Sequence, residues 1–207
     1  KNLIIKSKSN KISNYINFYK QINNSLKLVL INQLIKSGMA QVNIALNFDK
    51  FGKIKSNYNI NGKIINAELR IPKDNNIKEL NFNFTVNDKN YQIEKILFEF
   101  NGIKFNSEFI NIKQKNEKFY VNGNLENKKG KINNDIILLL FNQNLENFDF
   151  SNSKFNSNSE FTFNIDEKFK IKDLDIKSLI NVEKLEMNNF LGKNSFLPKI
   201  KKEIIFE

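Results

Sequence analysis

Apolar residues fall at helical spacing in the first part of the chain, where Tyr15, Phe18, Tyr19, Ile22, Leu26, Val29 and Leu30 form one stripe. The spacing predicts a helix over 13–37. Ser13 or Asn14 is placed to accept from the free N–H groups of its first turn, and Gly38 to take the left-handed conformation that ends its last. After Gly38 the period changes to two: Val42, Ile44, Leu46 and Phe48 alternate with Asn43, Ala45 and Asn47, as in a half-buried strand. A turn over 49–52 leads to Ile54, Tyr58 and Ile60. Asn61-Gly62, a dipeptide favoured in tight hairpins, leads on to Ile65, Ala67, Leu69 and Ile71, so three strands in a meander are expected.

The alternation continues through Leu80, Phe82, Phe84 and Val86, then Ile96, Phe98 and Phe100, then past Asn101-Gly102 to Ile103 and Phe105. At Phe109 and Ile110 the apolar parity switches and resumes at Ile112, which in a sheet demands a bulge, a bend or a twist. Phe119, Val121, Gly123 and Leu125 form the next strand. The apolar run 136–141 reads as a buried strand, with a short helix capped by Asn134 as the alternative. The Asn/Ser-rich stretch 151–159 reads as a loop or edge, flanked by Phe148 and Phe150 before it and Phe161, Phe163 and Ile165 after. Short pairs follow, Phe169 with Ile171, Leu174 with Ile176, Ile180 with Val182 and Leu185 with Met187, before Pro198 and the strand-like 204–206. The fold class is mostly β, an antiparallel sheet of about a dozen short strands with one amphipathic helix near the N-terminus.

Nearly every strand is apolar on one side only, so something must cover that side. A second sheet would make a self-covered β-sandwich, serving as a structural or protein-binding module, and the pattern alone favours it. Hydrocarbon is the other cover. At roughly 25 cal/mol per Å² of apolar area, a bare surface lined by Phe82, Phe84, Phe98 and Phe100 is costly in water. A closed outer-membrane barrel fits less well, because the chain has no Trp and only 5 Tyr to build aromatic girdles.

The chemistry within reach is narrow. With 0 Cys, 0 His and 0 Trp in 207 residues, thiolate nucleophiles, zinc clusters and histidine triads are closed. Asp173 and Asp175 have the two-residue spacing of a carboxylate pair, but nothing near them in sequence completes a site; no catalytic residue, metal or cofactor is expected. The formal charge of +11 favours anionic partners, yet Arg70 is the only arginine, and the strand Phe residues share parity with Ile and Leu. Only Tyr120 sits opposite, so nucleic acid is not an expected partner. Lys128, Lys129 and Lys131, like Lys199, Lys201 and Lys202, suit solvated turns or lipid headgroups. No run is long and apolar enough to span a bilayer. A start at Lys1 and a strand-like finish suggest an excerpt of a longer protein. The abundance of Asn, Lys, Ile and Phe has AT-rich coding bias as its simplest source.

Three stretches, GMAQVNIALNFDKFGKIKSNYNINGKIINAELRI from Gly38, FNGIKFNSEFINIKQKNEKFYVNGNLENKKG from Phe100, and KIKDLDIKSLINVEKLEMNN from Lys170, carry a resemblance. Their strand rhythm, the small-residue–Gly close before the first strand, the Phe48-Asp49 strand end and the Gly52 turn resemble the AsmA-like proteins, the bridge-like lipid transfer group of TamB and YhdP. The resemblance spans 13–206 and rests on rhythm rather than a sharp motif. It implies one internal segment, 1–207, of a long curled sheet forming a β-groove, with a helix at 13–37, a first meander at 39–126 and a second β section at 127–207. It implies a periplasmic place within a protein anchored in the inner membrane of a Gram-negative bacterium, the anchor lying in other parts of the parent chain. Its function would be to move phospholipids toward the outer membrane, with acyl chains as the partner. The groove-facing residues implied by parity are Val42, Ile44, Leu46, Phe48, Ile54, Tyr58, Leu69, Phe82, Phe84, Val86, Phe98, Phe100, Phe105, Phe119, Val121, Phe161 and Phe163.

Overall fold

The structure, a computed structural model, describes residues 1–22, 32–71, 75–116, 118–131, 153–167 and 170–184. In chain order the elements are β1 (Asn2–Lys6), β2 (Asn10–Lys11), α1 (Ile12–Ile22), β3 (Ile35–Asn47), β4 (Asn59–Ile71), β5 (Asn75–Asn87), β6 (Asn90–Phe100), β7 (Ile103–Lys115), β8 (Lys118–Lys131), β9 (Lys154–Ile165) and β10 (Ile171–Lys184). They form a single antiparallel sheet of ten strands in the order β1-β3-β4-β5-β6-β7-β8-β9-β10, with β2 also on β3, and it is not closed. Among the described residues there is one layer, neither the two of a sandwich nor the closed ring of a barrel.

The strands are fewer and longer than the periodicity suggests, because bulges inside them carry the changes of parity. Asn66, Glu79 and Lys95 have left-handed backbones (φ 48°, 51° and 54°) in the middle of β4, β5 and β6. Each coincides with a register shift between its strand and a neighbour. One extra residue returns the next apolar side chain to the face its predecessors occupy. In β4, Ile60 and Ile64 are thereby followed on the same face by Ala67, Leu69 and Ile71, while Ile65 pairs with Met39 on the other face. The switch read at Phe109 and Ile110 is the bulge of β7, between Asn106 and Ile110. Lys129 and Asp173 (φ 57° and 51°) bend β8 and β10 in the same way.

Asparagine side chains hold these bulges. Asn81 Oδ1 accepts from Asn66 N at 3.0 Å while its Nδ2 donates to the Glu79 carbonyl at 2.6 Å, joining two bulges on adjacent strands. Asn124 Oδ1 accepts from Glu108 N at 3.1 Å and Phe109 N at 3.3 Å, and Asn156 Oδ1 from Lys129 N at 2.7 Å. A bulge removes backbone amides from the ladder, and a neighbouring carboxamide replaces the lost acceptor. At these positions asparagine has a structural role beyond coding bias.

Several sequence expectations are corrected. The predicted 13–37 helix is over before Ile35, whose strand pairs Ile35 with Leu69 and Ser37 with Glu68. Gly38 lies within β3 rather than closing a helix: a Cβ there would sit 2.7 Å from Ala67 Cα and 2.8 Å from Ile12 Cδ1. Ser13 and Asn14 are inside α1, and Asn10 Oδ1 accepts from Lys11 N and Asn14 Nδ2 at 2.8 and 2.7 Å. The helix buries Ile12 and Ile16, whereas Phe18 and Tyr19 are exposed. Asn61-Gly62 makes no hairpin, because both residues are paired on both sides within β4. The Asn/Ser-rich segment is largely strand β9, paired with β8 and β10. Leu174, Ile176, Ile180 and Val182 belong to one strand. β1, with Leu3 and Ile5, was not foreseen. Leu26, Val29, Leu30, the 136–141 run with Asn134, Phe148, Phe150, Phe169, Leu185, Met187, Pro198, the lysines 199, 201 and 202 and the 204–206 stretch lie outside the described residues.

The best-buried part of the apolar face lies under α1. Ile12 and Ile16 cluster with Ala40, Ala67, Leu80 and Ile96 from four successive strands. Small Gly38, Ala40 and Ala67 let the helix approach the sheet. Tyr15 fixes its position: its hydroxyl donates to Ser7 Oγ at 2.6 Å, and that oxygen also accepts from Val42 N at 2.8 Å.

Candidate functional site: an open apolar sheet face

Residues opposite one another in an antiparallel sheet point to the same face, so register alone sorts the side chains into cross-strand rows. One row runs Ile5, Ile44, Ile60, Val86, Tyr91, Ile112, Val121, Phe163. The next row on the same face runs Val42, Gly62, Phe84, Ile93, Ile110, Gly123, Phe161, Ile176. No charged side chain enters either row. The row between them points the other way and is polar throughout: Asn43, Asn61, Thr85, Gln92, Asn111, Asn122, Thr162, Asp175. Its carboxamides bond across strands, Asn43 Nδ2 to Asn61 Oδ1 at 3.2 Å and Asn111 Nδ2 to Asn122 Oδ1 at 3.3 Å. The ion pairs Lys36–Glu68 (3.1 Å) and Lys104–Glu79 (3.5 Å) lie outside both apolar rows.

The register places Val42, Ile44, Leu46, Leu69, Phe82, Phe84, Val86, Phe98, Phe100, Phe105, Phe119, Val121, Phe161 and Phe163 on the apolar face. Phe48 follows the same parity and bridges to Ile54 in the β3–β4 hairpin. Ile54 is 57% exposed, and Tyr58 precedes β4, its hydroxyl donating to the Asp88 carbonyl at 2.9 Å. The sequence reading left out Ile5, Tyr91, Ile93, Ile110 and Ile112 as groove residues. The alternation of Tyr91 and Ile93 becomes visible once the Lys95 bulge is allowed for, since Ile96, Phe98 and Phe100 have the opposite parity in sequence and the same face in space.

Most of these side chains are only half-buried, although Val121 is buried. Ile44, Ile60, Val86, Tyr91, Ile112 and Phe163 are half-buried and belong to neither buried cluster. Toward β10 the face opens further, with Ile171, Leu174 and Ile176 exposed at 58%, 57% and 55%. Aromatic pairs tile it: Phe161 and Phe163 stack at 5.9 Å, Phe98 and Phe105 at 5.4 Å, and Tyr91 meets Phe119 edge-on at 6.4 Å. Desolvation holds the Tyr91 hydroxyl above the usual tyrosine range, and the nearby Tyr58 and Asp88 add like charge.

Small hydroxyls and one amide break the apolar face near β8–β10. Asn127, Ser157 and Ser159 share it with Ser178. Asn127 Oδ1 accepts from Ser157 Oγ, Asn127 Nδ2 donates to the Phe155 carbonyl at 3.1 Å, and Ser178 donates to Ser159 at 2.9 Å. These groups largely satisfy one another.

Elsewhere, Asp173 is a bulge residue accepting from Asn164 Nδ2 at 2.8 Å, while Asp175 ends the polar row. Among the described residues no group of three or more Asp, Glu, His or Cys is placed to hold a metal ion, and no helix is long and apolar enough to cross a membrane. Lys128, Lys129 and Lys131 are exposed. The chain matches no protein-family model, no curated protein and no solved structure.

Proposed function

We propose that this chain is a non-catalytic section of a lipid-holding β-groove of the AsmA-like kind, in which phospholipid acyl chains lie along the apolar face and pass between the inner and outer membranes through the periplasm. The observation that carries the reading is the row from Ile44 to Phe163: uncharged, mostly half-buried and lined by apolar side chains and the Tyr91 ring across seven strands of an open single-layer sheet. Covering a further ~40 Å² on each such side chain is worth about 1 kcal/mol, so several half-buried residues in line form a strong site for a chain of methylenes. The opposite face, with its carboxamides and ion pairs, is suited to water. In this reading the membrane-spanning anchor belongs to other parts of the parent chain, and nucleic acid is not a partner.

The test is lipid extraction and mass spectrometry of the purified protein. Phospholipid co-purifies with the parent chain, and Ile112→Asp or Phe163→Asp strips it while the far-ultraviolet circular dichroism stays that of a β-sheet, because a wet groove tolerates a carboxylate better than a packed core does. A soluble, lipid-free parent chain, or unfolding of both variants, overturns the reading.

A further inference from the structure

Among the described residues, the hairpin between β3 and β4 differs from the other turns at its end of the sheet. The described residues of those turns, Asp88 and Lys89, Asn116, and Asp166, Glu167 and Lys170, are polar or charged. The β3–β4 tip instead carries Phe51, at 77% the most exposed large apolar side chain among the described residues, and Ile54 at 57%. Around them stand Lys50, Lys53 and Lys55, all exposed, none in an ion pair among the described residues. The one acid, Asp49, is occupied by the turn itself: its Oδ1 accepts from Phe51 N at 2.8 Å and from Lys53 N at 2.9 Å.

The tip is also built to hold this shape. Asp49 N donates to the Lys53 carbonyl at 2.9 Å and Lys55 N to the Asn47 carbonyl at 2.8 Å, and Gly52 takes the left-handed turn position (φ 83°) with open space around it. Lys50 Nζ lies 4.9 Å from the Phe51 ring centre. An exposed ring and an isoleucine ringed by ammonium groups are poorly suited to water and well suited to the boundary between acyl chains and anionic headgroups.

We propose that this hairpin inserts Phe51 and Ile54 into the surface of an anionic bilayer. The antiparallel bridge puts Ile54 beside Phe48, which continues the parity of Val42, Ile44 and Leu46, so the apolar face of the sheet reaches Ile54 at the inserted tip. Docking itself needs only the hairpin. That the tip hands acyl chains to the groove rests on the function proposed above.

The chain has no Trp, so Phe51→Trp makes a single fluorescent reporter at the tip. With vesicles of phosphatidylcholine and phosphatidylglycerol, its emission shifts to the blue and is quenched by bromine-labelled acyl chains. Replacing Lys50, Lys53 and Lys55 by Gln weakens binding roughly fivefold per lysine at low salt. Phe51→Ser/Ile54→Ser weakens it about tenfold or more. The remaining lysines of a +11 chain attract anionic vesicles by themselves, so indole depth is the deciding readout. No vesicle binding, an indole that stays in water on bound vesicles, or a double-serine variant that binds like the parent each overturns the proposal. Lipid co-purifying with the double-serine variant at the parental level separates this site from the groove, whose failure would instead show as a lipid-free parent that still docks.

Discussion

The ring of Phe84 lies against the backbone of its register partner Gly62, so close that a Cβ on that glycine would stand 2.8 Å from Phe84 Cζ. The arrangement recurs with Phe161 over Gly123, at 2.9 Å, and Phe155 over Gly130, at 2.8 Å. Each glycine lets an aromatic ring lie down along the sheet instead of standing up from it. Gly62→Ala and Gly123→Ala should each destabilise the protein by about 1–3 kcal/mol, since the methyl group also meets a strand carbonyl that has little room to move. Urea unfolding checks this, and a neutral effect at both sites would contradict the packing described.

The bulges are conformationally demanding. Lys95 sits at φ 54° in β6, a region where β-branched residues are strained and glycine is free. Lys95→Val should cost about 1–2 kcal/mol and Lys95→Gly little or nothing, measured by thermal or urea unfolding. Asn81→Ala removes the acceptor of Asn66 N and should cost about 1 kcal/mol, whereas an exposed asparagine of the polar face such as Asn83 should tolerate alanine within about 0.5 kcal/mol.

Period-two alternation was legible from Val42 onward because it reflects the pleat itself, and Phe82, Phe84, Phe98, Phe105 and Phe163 could be placed on one face from it. The bulge at Phe109 and Ile110 was legible because two apolar neighbours cannot both face one side of a regular strand. The bulges at Asn66, Glu79 and Lys95 were not, since the parity change each one makes, as from Ile93 to Ile96, looks in sequence like a break between two short strands. Asn61-Gly62 misled because the same dipeptide that favours a tight turn also suits a strand position beneath a ring. The helix was overextended because Ile35 continues a helical spacing while its backbone pairs with Leu69. Which face would stay open was beyond reach of the pattern, which fits a second sheet equally well.

For α1 the discriminating comparison is between neighbouring side chains. Ile16 is 8% exposed and packs under the helix, while Phe18 is 65% exposed. Ile16→Ala should destabilise by about 2–4 kcal/mol and Phe18→Ser by no more than about 0.5 kcal/mol. Equal losses would restore the stripe that includes Phe18.

Tyr91 gives the face a response to alkali. Its pKa is raised in the folded state by desolvation, so the unfolded chain releases this proton first as pH rises. Stability linked to Tyr91 is therefore complete below the ordinary tyrosine pKa and is lost as pH climbs through the raised folded value. Tyr91→Phe should lessen the fall in stability across that alkaline window and leave neutral pH unaffected, as followed by urea midpoints against pH. A parental slope retained in the variant would assign the response elsewhere.

Adjacent residues of β9 face opposite sides of the sheet, Phe163 with the apolar row and Thr162 with the polar one. A photo-crosslinking phenylalanine analogue placed in turn at each position, irradiated in cells and read by mass spectrometry, asks directly what covers the apolar face. Phospholipid adducts at position 163 and none at 162 are the predicted result. Crosslinks from 163 to protein alone, or lipid adducts at both positions alike, would contradict an acyl-chain groove.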